Sequence, residues 1–439
     1  MAAKEQKPLT LRRNFSWTFI GNIVYAACQW LLLVVLAKLG SPEMVGEFTL
    51  GLAVTAPVIM LTNLQLRTIQ ATDVKQQYIF ADYLALRLIA TGLGLLIIGG
   101  IILVAKYSWE MSLVIIVIGL ARAADSISDV FYGLFQQQER MDRIAVSMMI
   151  KGLLSPLFLG LGVYLTRTVL WGAVGLAIAW TVVLLCYDIR SGALLLNTHS
   201  REPQNEVFEK RNLATRLRPH WHLKTLRTLA LFSLPLGFVM MLITLSTNIP
   251  RYFIEYYLGE RELGIFAAIS YLMVATAMVV NALGQSASPR LAKYYAAENG
   301  TAFRSLLLKL VGIGILLGGT GVLVASVAGR ELITLMYRPE YAEQSELLVW
   351  LMVATAIADT ASFLGYGMSA ARYFNIQLPL FTLVTGTSAI ACFWLIPAYG
   401  LLGAAIAAII SAIVQMGFSL GVIFHALHRL KSYAEQTDV

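Results

Sequence analysis

Apolar residues along this chain occur in long, uninterrupted runs that lack the alternation of a membrane β-barrel. A helix that spans a bilayer needs about 20 predominantly apolar residues. Twelve runs meet that length, with approximate limits 15–37, 44–64, 82–105, 111–135, 145–165, 170–189, 228–257, 263–284, 304–328, 347–370, 376–396 and 400–427. The pattern therefore predicts an all-α, polytopic membrane protein with twelve transmembrane helices, which are numbered here as spans 1 to 12.

The composition agrees with this prediction. The chain has 439 residues, of which 58% are hydrophobic and 13% charged, and its mean hydropathy is +0.71, whereas a soluble domain is about 45–50% apolar and about 25% charged. The three cysteines lie inside apolar runs, which excludes a secreted disulfide scaffold. The first run is too long for a cleavable signal peptide and lacks a small-residue cleavage site, so we expect it to remain as span 1.

The positions of Lys and Arg predict the orientation. Assigning them to the connections places 25 of the 33 on one side of the membrane; Arg67, Arg87 and Lys151 are among them, and the stretch 190–227 contributes eight. This side is predicted to be cytoplasmic, with both termini inside a cytoplasmic membrane. The bias and the attraction of anionic head groups explain the net charge of +8 without a nucleic-acid partner.

The sequence contains an internal repeat. At an offset of 218, Gly46, Phe48, Met60 and Asn63 match Gly264, Phe266, Met278 and Asn281. At 234, Ala124-Asp125-Ser126-Ile127-Ser128 matches Ala358-Asp359-Thr360-Ala361-Ser362, and Tyr132-Gly133 matches Tyr366-Gly367. At 228, Trp171-Gly172-Ala173-Val174-Gly175 matches Tyr399-Gly400-Leu401-Leu402-Gly403.

Each half has an even number of spans, so the halves are predicted to be parallel repeats about an axis along the membrane normal. We predict an N-lobe over residues 1–190, a charged cytoplasmic linker over 191–226, and a C-lobe over 227–439 with a short tail. Two such lobes favour a transporter that works by alternating access, although a channel built from one chain could also be pseudo-symmetric.

Span 4 carries Arg122, Asp125 and Asp129 on one helical face. A charge at the bilayer centre costs about 2.5–3.5 kcal/mol even on the mildest scale. Arg122 is expected to form an ionised pair with Asp125, so the second carboxyl needs a partner on another helix or holds a proton. This face is either a structural clamp within the lobe or a proton or cation relay.

Asp359 in span 10 occupies the position equivalent to Asp125, but Ala356 and Phe363 stand where Arg122 and Asp129 would be matched. An unpaired carboxyl in a low dielectric favours its neutral form. We therefore expect Asp359 to be protonated at rest and to be a candidate for coupling transport to protons.

A second set of polar residues lies on spans 1 and 7. Asn22 and Gln29 share a face of span 1, and Asn248, Arg251 and Glu255 share a face of span 7. In the predicted pseudo-symmetry these faces can meet across a cavity, where Asn22, Gln29 and Asn248 are candidates to contact a substrate and Arg251 suits a phosphate or acidic sugar. The alternative is an ion pair of Arg251 with Glu255 that snorkels to the head groups.

Catalytic and metal-binding patterns are not found. The five histidines lack metal-ligand spacing, and neither a Walker A sequence nor Gly-x-Ser-x-Gly occurs. We predict no catalytic residue, metal or cofactor. Asn63 and Asn281 are expected to hydrogen-bond between helices.

Three segments carry a resemblance to a known family. They are Leu11-Arg12-Arg13-Asn14-Phe15, Leu39-Gly40-Ser41-Pro42-Glu43-Met44-Val45-Gly46-Glu47-Phe48, and Tyr132-Gly133-Leu134-Phe135-Gln136-Gln137-Gln138-Glu139-Arg140-Met141. The chain resembles polysaccharide transporters of the MATE/MurJ-like multidrug/oligosaccharidyl-lipid/polysaccharide (MOP) superfamily, and most of all the Wzx-type lipid-linked oligosaccharide flippases.

The resemblance implies two six-helix lobes in a V, with spans 1, 2, 7 and 8 lining the cavity. It also implies ion-gradient-driven export of an undecaprenyl-pyrophosphate-linked glycan, with membrane lipids and polysaccharide polymerase or export machinery as partners. Relatives that move the peptidoglycan precursor have fourteen helices and several cavity arginines, whereas this chain has Arg251 alone. Arg12, Arg13 and Arg227 at the inner mouth could meet the pyrophosphate instead. The alternative function is a cation-coupled multidrug exporter, although span 1 has no acidic residue.

Overall fold

The computed structural model describes residues 10–73, 77–198, 218–373 and 376–437, and these residues contain helices and no β-strand. The chain folds into two compact units, unit 1 (Met1–Met241) and unit 2 (Leu242–Val439). Most of the predicted linker, residues 199–217, lies outside the described residues.

The described residues of unit 1 form eight helices and the beginning of a ninth. They are α1 (Leu11–Leu39), α2 (Pro42–Asn63), the short α3 (Leu66–Thr72), α4 (Phe80–Ala105), α5 (Trp109–Gln137), α6 (Met141–Thr166), α7 (Val169–Val183), α8 (Ile189–Thr198) and α9 (Leu223–Leu258), which continues into unit 2. A π-helical turn, Leu184–Asp188, joins α7 to α8.

Unit 2 contains the remaining helices. They are α10 (Glu260–Ser270), α11 (Val274–Ala296), α12 (Gly300–Met336), the single turn α13 (Pro339–Ala342), α14 (Ser345–Ala370) and α15 (Gln377–Thr437). A 3₁₀ turn, Tyr271–Met273, interrupts span 8 between α10 and α11.

Side-chain caps mark the beginning of several spans. The Ser41 side chain accepts a hydrogen bond from the Met44 amide ahead of Pro42 at the first helical position, and Ser108 does the same for Met111 at α5. These residues satisfy N–H groups that have no partner inside a helix, and proline at the first position loses nothing because its missing N–H would be unpaired there.

Eleven helices in the described part of the chain are long and apolar enough to cross a membrane, and the last of them covers Gln377–Arg429. This stretch contains two helices, because Gly400 has the non-helical angles φ 59° and ψ −136°. A Cβ on Gly403 would lie 2.1 Å from the Leu395 carbonyl oxygen, so the chain packs closely against itself here. The predicted spans 11 and 12 (376–396 and 400–427) correspond to the two arms of α15.

The same close approach occurs in unit 1, at Gly175, the position that the repeat matches with Gly403. In unit 1, a Cβ on Gly175 at α7 would lie 2.4 Å from the Phe158 carbonyl oxygen of α6. Glycine at both sites lets two helix backbones approach where any side chain would clash.

The beginning of α9 packs on unit 1. Leu226 and Leu229 are buried in a cluster with Tyr83, Leu84 and Leu66. His220, just before the helix, approaches Asp82 at 2.7 Å (Nδ1 to Oδ1), and its backbone amide donates to the Ala81 carbonyl at 3.1 Å. Unit 1 therefore extends beyond the predicted N-lobe boundary, since the first turns of span 7 bury their apolar side chains against α4. In unit 2, a separate core forms around Phe303, Phe363, Leu364, Leu291 and Leu307.

Substitution Gly403→Ala is expected to lower the thermal unfolding midpoint, because its methyl group would overlap the Leu395 carbonyl and overpacking costs about 1–3 kcal/mol. The matched control is Gly417→Ala in the same helix, where a Cβ meets nothing within 4 Å. Thermal melts of the purified protein in detergent measure both. Equal midpoints for the two variants would contradict the close packing at Gly403.

Candidate functional site

A buried lysine in unit 1 holds two carboxylates. Lys151 of α6 is 1% exposed, and its Nζ lies 3.0 Å from Asp125 Oδ1 of α5 and 3.7 Å from Asp188 Oδ2 of the π-helical turn. Ser147 Oγ donates to Asp188 Oδ1 at 2.6 Å. The Tyr132 hydroxyl lies 2.7 Å from Ser147 Oγ and is the donor there, because the Ser147 proton is already used. Three helices are joined by this cluster.

The second carboxylate of the α5 face is bound by two arginines. Arg87 of α4 is fully buried, and its Nη2 lies 2.9 Å from Asp129 Oδ2. Arg67 of α3 lies 3.6 Å from Asp129 Oδ1 and donates from Nε to Gln136 Oε1 at 3.1 Å. Arg87 also donates to Asn63 Oδ1 at the end of α2, so the predicted interhelical role of Asn63 is confirmed.

The Tyr132 ring connects the two clusters. The Lys151 Nζ lies 5.1 Å from its centroid, and the Arg67 guanidinium carbon lies 5.5 Å from it. Both cations thus interact with the face of one aromatic ring that is itself buried. The result is one continuous polar network through α3, α4, α5, α6 and the π-helical turn.

The predicted Arg122–Asp125 pair is wrong. Asp125 is bound by Lys151 instead, and Arg122 forms no ion pair with any described residue. The Arg122 guanidinium carbon lies 5.4 Å from the centroid of the Trp180 ring of α7, and its Nε is buried without a hydrogen-bond partner. Helix spacing correctly placed Arg122 and Asp125 on one face. The Asp125 carboxylate, however, binds the ammonium group of Lys151 on α6.

Two of the cations in this network were assigned from the sequence to cytoplasmic connections, and that assignment is wrong. Arg87 and Lys151 lie inside α4 and α6 and are buried. The sequence contained a signal for this, because both residues fall within the limits drawn for spans 3 and 5. Asp188 was missed although it falls within span 6, where a carboxyl requires a partner.

Unit 2 carries the same positions with almost no charge. Asp359 of α14 is 5% exposed, its Oδ2 has no hydrogen-bond partner, and it forms no ion pair with the described residues. Thr276 of α11, just after the 3₁₀ turn, interacts with its carboxyl group. At the offset of 234, Thr385 stands at the position of Lys151 and bonds to helix carbonyls.

The predicted interhelical role of Asn281 is also confirmed. The Tyr366 hydroxyl of α14 donates to Asn281 Oδ1 of α11 at 3.1 Å. Tyr366 is the repeat equivalent of Tyr132, and both hydroxyls bond to a helix of their own unit.

The substrate-cavity candidates lie in both units. In α1, Asn22 is exposed, and Gln29 is half-buried and forms a side-chain hydrogen bond with Tyr25. In α9, Arg251 Nη1 donates to Asn248 Oδ1 at 2.8 Å, and Arg251 Nε is buried without a partner. The alternative ion pair with Glu255 does not occur among the described residues, so the Arg251 charge has only an amide oxygen beside it.

The candidates for the cytoplasmic mouth are exposed. Arg12 and Arg13 line a cavity of about 340 Å³ with Ser16 and Trp17 at the beginning of α1. Arg227 is exposed in the second turn of α9.

Substitution Lys151→Met is expected to cost about 3–5 kcal/mol of unfolding free energy, because it leaves two carboxylates without a cation. The triple variant that adds Asp125→Asn and Asp188→Asn should recover much of this loss, since it removes the unpaired charges. The control is the exposed Lys224→Met. Folded yield and thermal midpoint in detergent are the measurements. A single variant as stable as the control would argue against the clamp.

Comparison with known proteins gives relatives along nearly the whole chain. The capsular polysaccharide biosynthesis protein CapF of Staphylococcus aureus is 29% identical over 407 residues, which cover 92% of this chain and 97% of that protein. A multidrug resistance MATE family transporter of the MOP superfamily, in its inward-facing conformation, has the same fold, with a TM-score of 0.69 at 12% identity over 95% of this chain and 99% of that one.

The Vibrio cholerae MATE transporter VcmN also shares the fold, with a TM-score of 0.63 at 15% identity over 95% of this chain and 97% of that one. At these identities the structures establish the fold alone. The family model described as "Polysaccharide biosynthesis protein" matches residues 11–295, which is more than half of the chain. The chain therefore belongs to the polysaccharide biosynthesis protein family, on a MATE-like membrane transporter fold.

Proposed function

We infer that this protein transports a lipid-linked oligosaccharide across a membrane, as part of the synthesis of a polysaccharide. The observation that carries the inference is the match of residues 11–295 to the polysaccharide biosynthesis family in a chain that folds like MATE transporters. The eleven apolar helices make it a multi-pass membrane protein. Family and fold are those of transporters, and we propose that it has no catalytic activity of its own.

The membrane is proposed to be the cytoplasmic membrane, with both termini inside, because most of the Lys and Arg outside the predicted spans were assigned to one side. Moving Arg87 and Lys151 into the spans leaves this bias in place. The proposed partners are the lipid-linked glycan, membrane lipids, and polysaccharide polymerase or export machinery.

The substrate has two chemically different parts, and the candidates divide between them. The amides of Asn22, Gln29 and Asn248 suit neutral sugar hydroxyls, because an amide both donates and accepts. Arg251 is half-buried, its Nε is buried, and it has no carboxylate partner among the described residues, which suits a phosphate or an acidic sugar. The exposed Arg12, Arg13 and Arg227 are proposed to attract the pyrophosphate at the cytoplasmic surface.

Coupling to an ion gradient is proposed to use Asp359. The carboxylates Asp125, Asp129 and Asp188 are each held by a cation, so protonating any of them would sacrifice an ion pair. Asp359 is buried, has a free carboxyl oxygen and forms no ion pair with the described residues. Proton exchange there disrupts the fewest interactions, which supports Asp359 as the coupling group and the unit 1 network as the structural clamp.

A cation-coupled multidrug exporter is the second candidate, since the solved structures with this fold include proteins named as multidrug transporters. The polysaccharide family match and the CapF relative favour the glycan. A lipophilic cation would also meet the unneutralised positive charge of Arg251.

Proteoliposomes that contain the purified protein are expected to move a lipid-linked oligosaccharide between leaflets and to leave a cationic dye in place. The reason is that amide and guanidinium groups recognise sugar hydroxyls and oxyanions and repel cations. Leaflet accessibility of the glycan and dye efflux are measured in parallel, with empty liposomes as the control. Dye efflux without glycan movement would establish the exporter, and glycan extension or cleavage by the protein alone would reveal catalysis.

Asp359→Asn is expected to retain folding and glycan binding but to lose the acceleration of flipping by an imposed pH gradient, because the amide cannot exchange a proton. The measurement is flipping with and without the gradient, normalised to folded protein. Asp359→Glu, which keeps a carboxyl, should retain part of the response. The matched control is Asp142→Asn, which removes a carboxylate paired with Arg140 at the beginning of α6. A wild-type response in Asp359→Asn would reduce this residue to a packing contact.

A further inference from the structure

Arg122 is a cation inside unit 1 for which the described residues provide no carboxylate. The charged residues on the α5 face and around it are the carboxylates Asp125, Asp129 and Asp188 and the cations Arg67, Arg87, Arg122 and Lys151. Every one of these except Arg122 takes part in an ion pair. Within this network, Arg122 is the cation without a bound carboxylate.

The depth of Arg122 makes this costly. It is the fourteenth residue of the 29-residue α5, about 20 Å along the axis from either end at 1.5 Å per residue. A guanidinium at that depth cannot snorkel to either surface. Ile116 and Leu120, the large exposed apolar residues nearby on α5, lie on the opposite side of the helix, so Arg122 faces the protein side of α5.

The guanidinium of Arg122 lies against a buried aromatic ring. Its carbon is 5.4 Å from the centroid of Trp180, which is 2% exposed and whose Nε1 donates to Ser155 Oγ at 2.8 Å. A cation–π contact stabilises the charge but satisfies none of the N–H groups of the guanidinium. Its Nε is one such donor, buried and without an acceptor.

The side chain of Gln29 of α1 borders the same region. It forms a side-chain hydrogen bond with Tyr25, one turn before it, and Tyr25 lies within electrostatic range of Arg122. Buried donors are nearly always satisfied in native proteins. The charged Nε donor of Arg122 is not satisfied, which indicates a place prepared for an acceptor.

We propose that Arg122 and Gln29 form an oxyanion-binding subsite of unit 1, which binds a phosphate or carboxylate group of the transported glycolipid. An oxyanion offers only acceptors and a negative charge, which are what Arg122 lacks, and Gln29 is the nearby neutral donor. The identity of the ligand as part of a glycolipid rests on the proposed transport function, but binding of the oxyanion itself does not.

Isothermal titration calorimetry of the full-length protein in detergent tests the subsite, with sodium pyrophosphate and sodium glucuronate as probes. Arg122→Gln should weaken binding of at least one probe by about tenfold or more, as expected for the loss of a charge-assisted hydrogen bond. Loss for pyrophosphate alone assigns the site to the lipid carrier, and loss for glucuronate alone assigns it to an acidic sugar. The matched control is Arg167→Gln, which removes an exposed arginine stacked on Tyr164 in the same unit.

Two further variants separate binding from folding. Arg122→Lys keeps the charge without the planar fork and should bind between the wild type and Arg122→Gln, and Gln29→Leu should weaken the same probe by a few-fold. If Arg122→Gln does not fold, the Arg122→Lys and Gln29→Leu variants test the oxyanion subsite in its place. The proposal is overturned if the wild type binds neither probe, or if the Arg122 and Gln29 variants bind like the wild type. It is also overturned if Arg167→Gln loses as much affinity. A protein that binds the probe but moves no glycan would overturn the transport function and leave the subsite standing.

Discussion

The structure of unit 1 depends on one constraint, which is that a charge buried among membrane-spanning helices needs a partner from another helix. Lys151 satisfies it for Asp125 on α5 and for Asp188 on the π-helical turn. A single ammonium group that must reach both carboxylates fixes the rotation and the depth of α5, α6 and α7 relative to one another. The extra residue per turn in a π-helical segment changes the direction of the side chains that follow, and here it ends at the carboxylate that Lys151 binds.

In unit 2, the positions equivalent to two members of this ion-paired network carry uncharged residues. The positions of Asp129 and Lys151 are occupied in the second half by Phe363 and Thr385. Phe363 is fully buried in an apolar core. At this position the helices of unit 2 are therefore held together by apolar packing, whereas those of unit 1 are held together by ion pairs. Asp359 survives as a carboxyl without a cation among the described residues, and a group with no ion pair to lose is the one whose proton can exchange at least cost.

Sequence reasoning reached the all-α, multi-span architecture and the approximate positions of the spans, because twenty apolar residues in a row have few alternatives in a membrane protein. It also found the α5 face, since helical periodicity fixes which residues of one helix share a side. It failed on the partners of that face, because periodicity within α5 carries no information about which neighbouring helix supplies the cation. Arg122 was given the carboxylate nearest along its own helix, whereas Lys151 reaches that carboxylate from α6. The π-helical turn that brings in Asp188 leaves no signature in the apolar pattern.

The distribution of charge between the units bears on how an anionic glycolipid could cross. Moving one elementary charge across the membrane is worth about 2.3 kcal/mol per 100 mV, and an inside-negative potential favours outward movement of an anion. The larger obstacle is desolvation of the anion at mid-membrane, and a fixed guanidinium there replaces the lost water. Such a cation is useful only if the protein's own carboxylates do not neutralise it. Lys151 and Arg87, by occupying Asp125 and Asp129, keep those carboxylates away from Arg122. The ion-paired clamp and the unpaired Arg122 therefore have the same cause, which is that Lys151 and Arg87 bind the carboxylates of the α5 face.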